Sequence, residues 1–577
     1  MERSGITALA LAAIMAVHTG TAQAQSLDYG RSGIADGAGA GEGSGEPGTG
    51  AGDAPSGPER TPSNKRLPGV GRGGHRERLR ISPYIEAQQV VTAELSPRHD
   101  VLTWTSLAAG VDASMRGRSA EGTVSLRYER RIGWGKSDDG DVISGLARGG
   151  VMVVPGAVSL EAGAIATRVS VDAGGASRPG SFDRGHSTHL YSLYAGPNLS
   201  TTAGDVSITG SYRIGYTEVG TPNGAAVVNG TTTNADLFDH SVLHDAEVHA
   251  STRPGEMLPV GLGLGAGYYQ EDVSNLDQRV KDLHARADAT LPVSSDLALV
   301  GGVGYEKVEV SSRDAVLDAN GRYVTDTSSP RQIAYETSGL IWDAGVTWRP
   351  SRRTALEAHV GWRYGGTTVF GAFGWKPNRR STVNISVYDS LSGFGGQVNR
   401  ALVALPREFT VQRDPIGGDI NGCVVTLEEG GCMTGAFGAL RSATFRARGI
   451  QGSYALELGR FGTGIAVGYD RRKFIAAPGT ILASANGVVD ENTWLSAWFN
   501  GKLDRRTTFG TYLYADWFQS GFTAAEDGVA LGLTGSLDHT FDNHISANAA
   551  LSLQGIQHKL ADDLWNAYAQ IGVRYSF

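Results

Sequence analysis

The end of the chain limits the fold most. In Leu564–Phe577 (LWNAYAQIGVRYSF), Trp565, Ala567, Ala569, Ile571, Val573, Tyr575 and Phe577 occupy one set of alternate positions. Asn566, Tyr568, Gln570, Gly572, Arg574 and Ser576 occupy the other. Side chains alternate across a strand, so one face suits hydrocarbon and the other water. The same period recurs. Leu283, Ala285, Ala287 and Ala289 oppose Asp282, His284, Arg286 and Asp288. Leu356, Ala358, Val360, Trp362 and Tyr364 oppose Glu357, His359, Gly361 and Arg363; Val124, Leu126 and Tyr128 oppose Thr123, Ser125 and Arg127, with Arg131 continuing the polar face. A dry sandwich core would bury those ions at high cost. A water-filled lumen tolerates them, and the ring-bearing ends of the apolar faces (Trp348, Trp362, Tyr364, Trp375, Trp517, Trp565) suit a headgroup layer. A sheet in lipid may keep no open edge. The pattern therefore predicts an all-β fold: one large antiparallel transmembrane β-barrel over residues 79–577, with about 22 strands and a range of roughly 16–22. An even number puts both barrel termini on one side, expected to be the periplasm.

Two turn sequences, Trp348-Arg-Pro-Ser-Arg-Arg-Thr354 and Trp375-Lys-Pro-Asn-Arg-Arg-Ser381, lie 27 residues apart, and Leu503-Asp-Arg-Arg-Thr507 resembles them. The interval fits two strands and one excursion, so these read as short turns on one rim, with Pro350 and Pro377 at the first corner of each. Long connections, near 173–186, 220–238, 312–330, 392–434, 476–490 and 519–524, fall to the other rim.

Residues 1–24 read as a secretory signal peptide: Arg3, an apolar run from Ile6 to Val17, then Ala22-Gln23-Ala24. Residues 25–78 are Gly-, Pro- and Ser-rich and are expected to be a disordered tail, which is no folded plug and so argues against an active TonB-type receptor. Formal charge is −8, which does not suggest a nucleic-acid partner. The only two cysteines, Cys423 and Cys432, flank Gly430 and Gly431 in an exported chain and read as a local disulfide. No metal-ligand motif or nucleotide loop is present, so no cofactor is indicated.

Phe577 with Tyr575, Val573 and Ile571 resembles the terminal signal by which Gram-negative outer-membrane β-barrels are recognised by the barrel assembly machinery. LRISPYIEAQQV (79–90), DVLTWTSLAAGVDA (100–113), WRPSRRT (348–354) and YGGTTVFGAFGW (364–375) resemble a group of barrel porins associated with exopolysaccharide and capsule systems. The resemblance implies contact with outer-membrane lipid and lipopolysaccharide, insertion by that machinery, and a polysaccharide or its export system as a partner.

The leading functional expectation is a porin-like channel for polar or saccharide solutes, and not an enzyme. Candidate lining residues are Glu86, Arg127, Arg131, Asp282, His284, Arg286, Asp288, Asp343, Glu357, His359, Arg363 and Arg574. Mixed charges on one wall can orient solutes and set ionic selectivity; alternatively they pair with one another and stiffen a wet interior. Loop 392–434 can either enter the lumen as a constriction or cap the mouth. Two alternatives come from other classes. One is a non-conducting scaffold for surface polysaccharide. The other is a hydrolase using Asp183, His186, His189, His240, His244 and Asp245, although no nucleophile stands in a diagnostic setting.

Overall fold

The computed structural model describes residues 78–577, apart from 98, 172–176, 180–186, 221–224, 229–230, 235–239, 256–257, 320–322, 426–429, 434–443, 523–526 and 560–561. The expected signal peptide and tail lie outside the described residues. One sheet contains 23 segments, of which Ser177–Pro179 is a three-residue extension beside the fifth strand. The other 22 each pair antiparallel with their neighbours in sequence, from Arg78–Ser96 to Leu564–Ser576. First and last strands then pair with each other, from Tyr84↔Ser576 to Ser96↔Trp565, which closes the sheet. Strands are numbered here in that order, one to twenty-two.

The two-residue period sets the faces. In strand twenty-two Tyr568, Gln570 and Gly572 are buried, whereas Ile571 is 66% and Val573 52% exposed. Leu283, Leu299, Leu340, Val360, Leu533 and Leu551 project outward in the same way, giving an apolar outer surface around an interior whose wall mixes charged, polar and apolar patches. Trp348, Trp362, Trp375 and Trp517 also face outward. Tyr364 does not. It is the first residue of the two-residue turn joining Thr354–Arg363 to Gly366–Asn378, with φ 53°, followed by Gly365 at φ 63°. Two successive left-handed residues make the tight hairpin turn that matches strand twist, and that conformation swings the Tyr364 ring inward. There the guanidinium carbons of Arg363 and Arg446 lie 4.8 and 5.3 Å from its centroid.

The repeated basic turns do lie on one rim, at Ser351–Thr354, Asn378–Ser381 and 503–506. The prolines have a different role from the expected one. Each lies where the pairing register slips, between Trp348 and Ser351 and between Trp375 and Asn378, so Pro350 and Pro377 occupy bulges, where a missing N–H costs no ladder bond. Side chains close the turns: the Asn378 carbonyl oxygen accepts from Arg380 N–H (2.7 Å), and Asp504 accepts from Arg506 N–H (2.6 Å).

Candidate functional site

Two charged patches on the inner wall hold the residues expected from sequence. In the first, Arg127 on strand three pairs with Glu86 on strand one and with Glu129 (3.2 Å), and Arg131 donates to the other Glu129 oxygen (2.7 Å). Asn548 also donates to Glu86 (2.7 Å) across the closing seam. Arg574, nearby, pairs with Asp112 (3.2 Å), its guanidinium carbon 3.4 Å from the centroid of the Tyr84 ring.

The second patch spans strands eight to thirteen. Arg286 donates to Asp343 through two nitrogens (2.7 and 2.9 Å) and to Asp288 (3.1 Å). Asp288 also contacts His249 (3.0 Å), and Asp343 contacts His359 (3.0 Å), whose other nitrogen lies 3.3 Å from Glu357. Arg363 bridges Asp282 (2.8 Å) and Glu306 (3.2 Å) and approaches His284 (3.0 Å). All twelve candidate residues thus face inward, and each has a charged partner. Isolated buried ions would be costly; a ladder of alternating charge is the arrangement that makes them tolerable.

Between these patches, residues 393–420 of the long connection after strand fifteen lie inside the barrel. A helix, Phe394–Ala404, begins near the long-loop rim, where Glu271 of strand nine accepts from the N–H groups of Gly393 (2.7 Å) and Gly396 (2.8 Å). A carboxylate there satisfies orphan donors and complements the helix dipole. Over about 16 Å, at 1.5 Å per residue, the helix buries Phe394, Val398, Ala401 and Leu402 against Ile165, Val169, Leu190, Tyr194 and Val219 of the wall. Beyond it, Arg407 pairs with Glu121 (2.8 Å) and Glu161 (3.2 Å), and Glu408 with Arg116 (3.2 Å), next to the opposite rim.

The chain then turns back through Thr410–Arg413 and a tight hairpin, DPIGGD (414–419). Asp414 N–H donates to Asp419 O (2.8 Å), and Gly418 N–H to Asp414 O (2.7 Å). Arg168 grips both Asp419 oxygens (3.2 and 3.1 Å), Arg413 donates to Ser125 and Ser144, and Ile416 packs among Val90, Trp104, Ala550 and Tyr568. One Asp414 oxygen accepts from Ile416 N–H (3.2 Å); the other is buried without a hydrogen bond among the described residues. Burial first, reinforced by the Asp419 charge, pushes the Asp414 carboxyl up to about 7, against the opposing pull of the Ile416 N–H and Arg168.

Glu129, Glu306, His249, Arg168, Glu271 and the inward Trp494 and Trp498 are not among the residues expected from sequence. Glu129 and Glu306 continue the period-two faces and were within reach of that argument. The tryptophans were not, because each rests on a glycine of the neighbouring strand: a Cβ at Gly468 or Gly464 would collide with Trp494 or Trp498. The backbone pairs Cys423 with Cys432 directly across antiparallel segments, and nothing further is described for their side chains. Of the hydrolase candidates, Asp183 and His186 lie outside the described residues. His240 and His244 face outward beside Tyr216 and Tyr212, whereas Asp245 faces inward toward Arg213, so alternation separates that acid from those bases; His189 lies across the ladder from Arg168 and stacks on Tyr191. Among the described residues no cluster of His, Cys, Asp and Glu could hold a metal ion.

No family model and no curated protein matches the chain. Among solved structures, the FrpB iron transporter from Neisseria meningitidis is similar at TM-score 0.41 and 11% identity, over 86% of this chain and 82% of that one. The ferric-catecholate import receptor Fiu from E. coli, in its open form, gives 0.41 and 10%, over 86% and 81%. OpdO of Pseudomonas aeruginosa gives 0.27 and 10%, over 86% and 97%. These likenesses are distant, and nothing of what those proteins carry is transferred to this chain.

Proposed function

We propose that the chain is an outer-membrane channel for small polar solutes, saccharides among them, with residues 393–420 as a resident constriction. The observation that carries this reading is the helix and hairpin folded within a closed sheet whose inner wall is charged and whose outer wall is apolar. The twelve charged candidates form the selective lining, Cys423 and Cys432 form a disulfide that shortens the returning arm of the loop, and Tyr575 with Phe577 is the assembly signal. On this reading both barrel termini face the periplasm. A link to surface-polysaccharide export rests on the segment resemblances near 79–113 and 348–375.

Planar-bilayer recording of the purified protein tests the reading. Stepwise conductance is expected, and replacing 393–433 by a short Gly-Ser link should raise it several-fold. Conductance equal in both proteins would remove the constriction. Silence from both would defeat the channel and favour a non-conducting scaffold.

A further inference from the structure

The short-turn rim is electrically lopsided. Four consecutive turns on it, at 351–354, 378–381, 458–461 and 502–507, carry the exposed pairs Arg352–Arg353, Arg379–Arg380 and Arg505–Arg506, with Arg460 between them. Asp504, whose oxygens accept from the N–H groups of Arg506 and Thr507 and from the Thr507 hydroxyl, keeps its charge but offsets only one of the seven arginines in these turns. Turns elsewhere on the rim are of mixed sign, with Arg118 at one, Asp205 at another and Asp296 at a third.

The surface beside this arc is built for lipid. Trp348 and Trp375, both outward, stand just before the first two basic turns. Next to the other two, Phe461, Phe499 and Phe509 of strands seventeen to nineteen cluster on the outer face with centroids 5.1–6.2 Å apart. Gly501 between them leaves no room for a Cβ beside Phe461. Arg460 lies over the Phe461 ring at 5.8 Å. Amphipathic rings locate the headgroup level, so the guanidinium groups of the turns beyond them stand among lipid phosphates.

We infer that this arc is a docking surface for anionic phospholipid headgroups of the adjacent leaflet, with acyl chains lying on the Phe461–Phe499–Phe509 platform. The inference rests on the membrane-barrel reading but not on conduction. It predicts a local lipid preference confined to strands twelve to nineteen, driven by charge and weakened by salt.

The test uses full-length protein in phosphatidylcholine vesicles containing brominated phosphatidylglycerol or brominated phosphatidylcholine, read by tryptophan quenching. The native protein should favour the anionic lipid several-fold at low salt, with the preference declining as salt rises. A variant with Arg352, Arg353, Arg379, Arg380, Arg505 and Arg506 changed to Gln should lose it while keeping the heat-shifted folded band. Equal quenching by both lipids, or a preference unchanged in the variant, overturns the inference. So does a native preference for a soluble acidic polysaccharide that displaces the anionic lipid. Failure to insert into either vesicle would instead remove the membrane reading beneath it.

Discussion

The two charged patches solve one problem in different ways. Around Arg286 and Arg363 the wall is self-sufficient, since strands eight to thirteen supply every partner. Around Arg127 and Arg131 it is not, because the neighbouring Arg168 is held by Asp419 and the hairpin seals the ladder from above. A self-sufficient patch can face an open lumen and act on passing ions. A patch completed by a loop is coupled to whether that loop stays seated.

Unseating the helix should break this contrast most. A side chain at Gly396 would run into the Tyr269 hydroxyl and the Glu271 carboxylate that holds the helix start. Gly396→Val should therefore raise single-channel conductance several-fold, toward the loop-deleted level, with the folded band retained. Unchanged conductance would mean that the helix narrows nothing.

A paired comparison comes next. Arg168→Ala removes the partner of a buried carboxylate, a loss of about 3–5 kcal/mol in such settings, and it should speed protease cleavage within 405–425. Arg286→Ala should leave loop cleavage alone, because Asp343 keeps His359 and Asp288 keeps His249. It should instead shift the reversal potential in a salt gradient toward cations. Equal cleavage in both variants would merge the two patches into one unit.

The smallest expected effect is on pH. A free carboxyl of this type titrates near 3.9, whereas Asp414 in the seated hairpin is pushed up to about 7. The seated form thus holds a proton that the released form gives up. Seating is strongest below about pH 4 and weakens progressively as pH rises toward 7. Conductance, or loop cleavage, should climb over that interval in the native protein and stay flat in Asp414→Asn. A rise on acidification would reverse the sign and refute the assignment.

Most of the barrel was legible because a two-residue period is a strong, repeated signal. The strand number, the rim carrying the basic turns and the inward direction of all twelve charged candidates follow from it. The loop was not legible. Gly395 and Gly396 weaken the appearance of a helix between 394 and 404, yet they are what lets it approach Ser241 and Tyr269 so closely. Partners such as Arg168 and Asp419 lie 251 positions apart and share no local pattern. Tyr364 failed for a related reason: alternation stops being informative at the residue where the chain reverses.

The seat of Ile416 has a consequence for the order of events during assembly. Val90 and Trp104 come from the first two strands, Ala550 and Tyr568 from the last two. A chain delivered from its N-terminus contains the complete hairpin well before half of that seat has been made. The hairpin must therefore wait, unhoused, until the final strand zips to the first. Contacts between such remote parts of a chain are the slow ones to form. Loop docking should be a late marker of seam closure, reporting that the barrel is finished.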